Sequence, residues 1–181
     1  KDDDNFVYAR ELKEEPLVVG KEACFAPVFS PDGKKVAYWA NRSELRVYDM
    51  ASKTSRTVLP GKDNYSYTDF DLFFEWSPNS KYLLASYMGD GGWNNTDVAL
   101  VYADGSKVVN LTESGYNDGR AHWALGGKAV VFSSERDGYR NHGSWGTQRD
   151  VYAMFLDQGA YDRFNMRKEE RDRYDAAKKK A

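Results

Sequence analysis

FSPDGKKVAYW, from Phe29 to Trp39, returns as WSPNSKYLLAS from Trp76 to Ser86 and as WALGGKAVVFS from Trp123 to Ser133, 47 residues apart each time. A fixed period of that size marks a stacked supersecondary unit. In an all-β setting it suits one blade of a propeller, a small sheet repeated around an axis. Each copy reads as an aromatic residue closing a short strand, a tight turn, then a second strand. The turn tips are Asp32-Gly33, Asn79-Ser80 and Gly126-Gly127, where positive φ is most easily adopted. The runs Val36-Ala37-Tyr38-Trp39, Leu83-Leu84-Ala85-Ser86 and Ala129-Val130-Val131-Phe132 are short and apolar, as expected of strands buried between neighbouring sheets.

Working outward, Leu45 to Asp49, Asp97 to Ala103 and Asp150 to Leu156 alternate loosely and are predicted to be third strands. Turn residues at Asp49-Met50-Ala51-Ser52 and Ala103-Asp104-Gly105-Ser106 predict hairpins into fourth strands at Arg56 to Leu59 and Val108 to Leu111. Phe6 to Leu12 and Pro16 to Val19 read as the third and fourth strands of a preceding blade. The expected fold is all-β: a partial β-propeller of about three to four four-stranded antiparallel blades with a C-terminal charged helix. The boundaries are a partial first blade at 1–20, blades at about 21–60, 61–112 and 113–158, and a helical tail or linker to a missing downstream domain at 159–181. Closed propellers have four to eight blades, so the open blade edges are expected to self-associate or to meet another partner.

Charge narrows the partners. Lys and Arg number 26 against 28 Asp and Glu, with no basic stripe, which argues against nucleic acid. No apolar run is long enough to span a membrane. The single cysteine, Cys24, excludes an internal disulfide and a cysteine-based zinc cluster and is expected as a small buried apolar residue. The high aromatic share, 15%, suits packing in the wedge between twisted sheets.

Catalytic, cofactor and metal sites are not predicted. His122 precedes a repeat aromatic and reads as a strand histidine. His142-Gly143-Ser144-Trp145-Gly146 gathers a histidine and a serine, but the serine lacks the glycine two positions earlier that a nucleophile elbow needs. Asp2-Asp3-Asp4 lacks the spacing of a calcium loop, and Gly89-Asp90-Gly91-Gly92 lacks the Lys-Ser/Thr of a phosphate cradle. Two long loops remain, Met88 to Asp97 and Tyr139 to Asp150. Functional residues concentrate on such loops, and Trp93 and Trp145 are the candidates for contact with a peptide or a protein partner.

LTESGYNDGRAHWALGGKAVVFSSERDG, from Leu111 to Gly138, resembles the repeat of TolB-type propellers: a Leu-Thr pair, an aromatic before the turn, an apolar strand, then Ser-x-Arg-Asp-Gly. In that pattern Arg136 and Asp137 are expected to tie strands and turn together by hydrogen bonds. DQGAYDRFNMRKEERDRYD, from Asp157 to Asp175, resembles the exit from the propeller in tricorn-type serine peptidases of the C-terminal-processing class. Its own chemistry is helical, with Ala160, Tyr161 and Phe164 on one face and Glu169/Arg173 and Asp175/Lys179 at i,i+4 spacing. The resemblance implies a non-catalytic propeller that guides or filters peptide substrates toward a catalytic domain absent from this chain, in the periplasm. The alternatives are a TolB-like protein-protein interaction scaffold and the gating propeller of a prolyl-oligopeptidase-type enzyme.

Overall fold

The computed structural model describes residues 13–92, 94–139 and 146–179. They form three antiparallel sheets in sequence order. β1 (Cys24–Phe29), β2 (Lys35–Ala40), β3 (Glu44–Asp49) and β4 (Thr54–Leu59) make the first. β5 (Phe74–Trp76), β6 (Tyr82–Tyr87), β7 (Asp97–Tyr102) and β8 (Val108–Asn110) make the second. β9 (Asp118–Ala124), β10 (Ala129–Ser134) and β11 (Asp150–Phe155) make the third, and α1 (Gln158–Asn165) and α2 (Lys168–Lys178) follow.

The repeated turn works through side chains close in sequence. The Ser30 hydroxyl donates to Asp32 Oδ1 (2.6 Å) and accepts from the Lys35 N–H (3.0 Å), while Asp32 Oδ1 also accepts from the Lys34 N–H (3.1 Å). Ser77 and Asn79 repeat this scheme with Tyr82 and Lys81. In the third copy Ala124 has no hydroxyl, and its carbonyl closes the turn by accepting from the Gly127 N–H (3.0 Å). The hairpin carboxylates of Asp49 and Asp104 likewise accept backbone N–H groups two or three residues on.

Burial on both faces explains the unbroken apolar runs. Ala37, Trp39, Leu45, Val47, Val58 and Leu59 of the first sheet pack on Trp76, Leu83, Ala85, Ala99 and Val101 of the second. On the other face of the second sheet, Leu84, Val98 and Leu100 meet Ala121, Trp123, Val130, Phe132, Tyr152 and Met154. Each Val, Leu or Phe among them contributes about 1.5–3 kcal/mol when fully buried. The sheet stack is therefore the main source of stability.

Four details differ from expectation. The third sheet has no fourth strand among the described residues. After β11 the Asp157 carboxylate accepts the Ala160 N–H (2.8 Å) as an N-cap, where the second blade has the hairpin turn Asp104-Gly105-Ser106. The tail bends into two helices rather than one: Met166 is extended, and the Arg167 N–H donates to Glu170 (3.0 Å), starting α2 afresh. Asp175 consequently pairs with Arg163 of α1 (Nε–Oδ1, 2.8 Å) across the bend. Pro16 to Val19 form no strand; Pro16 cannot donate to a ladder, and Leu17 and Val18 instead lie beside Val36, Tyr38 and Tyr48. Phe6 to Leu12 lie outside the described residues. Cys24 is exposed, because it begins a strand of the first blade, on whose outer side no further sheet stands among the described residues.

Candidate functional site

The connections sort into two ends. β1–β2, β3–β4, β5–β6, β7–β8 and β9–β10 are joined by short turns at one end of the sheets. The long segments 60–73, 88–96, 111–117 and 135–149 all emerge at the other. Long connections on a rigid sheet are where binding residues gather.

Trp93 and Trp145, and with them His142 and Ser144, lie outside the described residues. The bases of the loops that carry the two tryptophans are described, and they converge on Asn117 and Asp118 at the start of β9. Thr96 donates its backbone N–H to Asn117 Oδ1 (3.1 Å) and accepts the Asp118 N–H (2.7 Å). From the other loop, the Glu135 N–H donates to the Asn117 carbonyl (3.3 Å), and Arg149 donates Nε and Nη2 to Glu135 Oε1 (3.0 and 2.8 Å). Arg136 closes the network through Asp118 Oδ2 (2.9 Å) and the Ser134 hydroxyl (2.8 Å). Asp118 and Glu135 are buried, so these bonds replace the water given up at Asp118 Oδ2 and Glu135 Oε1, while Asp118 Oδ1 has no hydrogen-bond partner among the described residues.

The Ser-x-Arg-Asp-Gly segment thus does what its pattern predicts. The Arg136 guanidinium lies over the rings of Phe132 (5.4 Å) and Tyr152 (4.9 Å), and the Tyr152 hydroxyl donates to Asp137. That hydrogen bond, with some loss of solvent, pushes the Tyr152 phenol up to about 12. Gly138 is required by crowding: a Cβ there would stand 2.4 Å from the Gln148 carbonyl oxygen.

The same end carries an aromatic segment that sequence reasoning missed. Tyr65, Tyr67 and Phe70 are exposed between β4 and β5, with Tyr139 exposed at the base of the third blade's loop. Phe70 holds a left-handed φ of 68° and packs edge-on against Phe25, centroids 6.1 Å apart. Asp71 holds the segment by accepting the Ser66 hydroxyl and the Thr68 N–H, both 2.9 Å, and Arg42 pairs with Asp69 (2.9 Å). Beneath Phe70, the buried Trp39 Nε1 has no hydrogen-bond partner. The available signal was three aromatics interleaved with polar residues where no strand was expected.

A second concavity opens at the short-turn end, a cleft of about 500 Å³ between the second and third blades, lined by Pro78, Tyr82, Leu100, Tyr102, Trp123 and Gly127. Its origin is a sequence departure. Ser80 accepts the Asp32 N–H (3.1 Å) across the first junction; Gly127 stands in its place in the third repeat and brings no side chain.

His122 sits on β9 and is exposed; its Nδ1 lies 2.6 Å from Glu75 Oε2 on β5. An exposed pair of this kind contributes at most about 1 kcal/mol. Among the described residues, no group of three His, Cys, Asp or Glu side chains is placed to hold a metal, and no helix is long and apolar enough to cross a membrane.

No protein-family model matches the chain. In sequence it is 34% identical over 88 residues to a Tricorn protease homolog of Saccharolobus solfataricus, a match covering 49% of this chain and 8% of the relative. In structure it is similar to TolB from Acinetobacter baumannii, with a TM-score of 0.52 and 21% identity over 79% of this chain and 32% of that one. It is also similar to an AtxE2 isopeptidase variant with Astexin3-dC4 bound, with a TM-score of 0.52 and 15% identity over 74% of this chain and 28% of that one. The fold is that of β-propeller blades. The two resemblances read from the sequence, of the repeats to TolB and of the tail to a tricorn-type peptidase, are matched by similarity to TolB in fold and to a Tricorn protease homolog in sequence.

Proposed function

We propose that the chain is the non-catalytic propeller portion of a tricorn-like serine peptidase, guiding or filtering peptide substrates toward a catalytic domain that these residues do not contain. The observation that carries the reading is the gathering of every long connection at one end, with the bases of the 88–96 and 135–149 loops bonded to one another through Asn117 and Asp118. Bases fixed in this way hold two loops at a constant separation, which a surface that selects extended peptides needs. The similarity to a Tricorn protease homolog supports the peptidase context, and the exposed Tyr65, Tyr67 and Phe70 supply apolar area for side chains of an unfolded segment.

The test is a cleavage assay with an unfolded, fluorescently labelled polypeptide and a serine-directed phosphonate probe. The expected outcome is that this chain leaves the polypeptide intact and takes no label, whereas a longer natural product of the gene cleaves it and is labelled outside residues 1–181. Hydrolysis by this chain that disappears in Ser144→Ala would contradict the reading. A natural product that binds protein partners and carries no labelled serine would favour the TolB-like scaffold instead.

A further inference from the structure

Trp39 stands where the repeat otherwise carries a serine. Ser86, 47 residues later, accepts the Phe73 N–H on its hydroxyl (3.1 Å), and Ser133, one repeat further, donates its hydroxyl to the Gly119 carbonyl (3.1 Å). In both blades the polar group at this position is spent on the innermost strand. Trp39 has no such outlet: the residue is 3% exposed, and among the described residues its indole N–H meets no acceptor. A buried donor without a partner costs a fold free energy, and each one calls for an explanation. The space for an acceptor from outside is present. Trp39 lines a cavity of about 10 Å³ with Phe25, Ser66, Phe70 and Leu72, room for about one oxygen-sized atom.

We propose that this cavity is a subsite for an aromatic residue of a bound peptide, whose ring takes the place Phe70 holds beside Phe25 and whose adjoining backbone carbonyl accepts the Trp39 indole N–H. The subsite rests on the peptide-handling reading and names the side chain that this part of the long-loop end selects. Phe70 shows what the mouth accepts. Its ring stands edge-on to Phe25 with centroids 6.1 Å apart, yet it is 74% exposed and holds a left-handed φ of 68°, a state that a bulky residue adopts at a cost. A plug held in this way gives up little packing when it leaves, and its backbone sheds strain. Charge at the rim selects a neutral ligand. Arg42 and Asp69 neutralise each other at 2.9 Å, and Asp71 is spent on the Ser66 hydroxyl and the N–H groups of Tyr67 and Thr68. The buried group still wanting a partner is the Trp39 N–H, and a backbone carbonyl is the neutral acceptor that every residue of an extended peptide offers.

Titration of this chain, its five tryptophan indoles labelled with nitrogen-15, with acetyl-Gly-Phe-Gly-amide tests the subsite by NMR. The Trp39 signal is identified by its loss in Trp39→Phe. At saturation the Trp39 indole proton moves downfield and exchanges more slowly, while that of Trp76, already bonded to the Val28 carbonyl, stays in place; acetyl-Gly-Gly-Gly-amide moves neither. Phe70→Gly, which accepts the left-handed φ and clears the mouth, tightens binding of the Phe peptide by roughly two- to ten-fold, the worth of the ring pair that no longer has to be displaced. Trp39→Phe, with its fold checked by circular dichroism, weakens binding by roughly five-fold, the loss of one hydrogen bond. An unmoved Trp39 signal beside shifting backbone amides in 63–73 would overturn the subsite and leave the peptide reading intact, with a lone water as the indole's partner. No shift at either would overturn both, and an equal response to the Gly-Gly-Gly peptide would overturn the aromatic assignment.

Discussion

The indole N–H of Trp76 donates to the backbone carbonyl of Val28 at 3.1 Å, and one repeat later Trp123 reaches the carbonyl of Glu75 at 3.4 Å. The same residue of the period therefore both fills the wedge between two blades and ties the innermost strands together. Trp76→Ala should cost about 3–5 kcal/mol, and Trp76→Phe, which keeps most of the apolar area, about 1–2 kcal/mol. Phe29→Ala, at an exposed position, should cost under about 1 kcal/mol. Urea denaturation of the three variants measures this order.

Arg149 is the partner that Glu135 keeps in the buried network at the loop bases. Arg149→Met leaves a buried carboxylate short of its donor and should destabilise by about 1–3 kcal/mol. Glu135→Gln in the same chain should recover most of the loss, because the unpaired charge is then gone. A double-mutant cycle in urea gives the coupling.

Gly138→Ala should destabilise by about 1–3 kcal/mol, since the new methyl meets backbone at 2.4 Å rather than a side chain that can move. Gly126→Ala, with a φ of 67° and open space around it, should cost about 1 kcal/mol from backbone strain alone. Hydrogen exchange separates the two, with faster exchange at residues 146–149 only in the first variant.

The period, the turns and the three apolar strands were legible because each rests on chemistry local in sequence: Ser30 and Asp32 write the turn within a span of six residues. The helical tail after β11 was legible from Ala160, Tyr161 and Phe164 on one face, of which Tyr161 and Phe164 meet Phe155 edge-on and tilted, whereas the break at Met166 was not, because no proline or glycine marks it. The Asn117–Asp118 hub was not legible. It joins residues from four segments by side-chain and loop-backbone hydrogen bonds, and such contacts follow no period. Cys24 was misjudged for a related reason, since its burial would depend on a neighbouring sheet rather than on its own strand.

Acid should weaken the fold through its turns. Hydrogen bonds from Ser30 to Asp32, from Ser52 to Asp49 and from Ser106 to Asp104 hold these carboxyls below their usual range. A depressed carboxylate stabilises the fold above its unfolded pKa, about 4, and that contribution is lost as pH falls through the lower folded value. Melting temperature should thus decline below about pH 4, and the decline should be shallower in Asp49→Asn/Asp104→Asn, whose amides do not titrate.

The claim that peptide is met at the long-loop end is tested most directly by hydrogen exchange of this chain with and without a saturating unstructured polypeptide. The account predicts slowed exchange in 63–73, 88–92, 94–97, 111–117 and 135–139, with the turns at 30–34 and 77–81 unchanged. Protection confined to those turns and to the cleft at Tyr82 and Tyr102, or no protection anywhere, would contradict it.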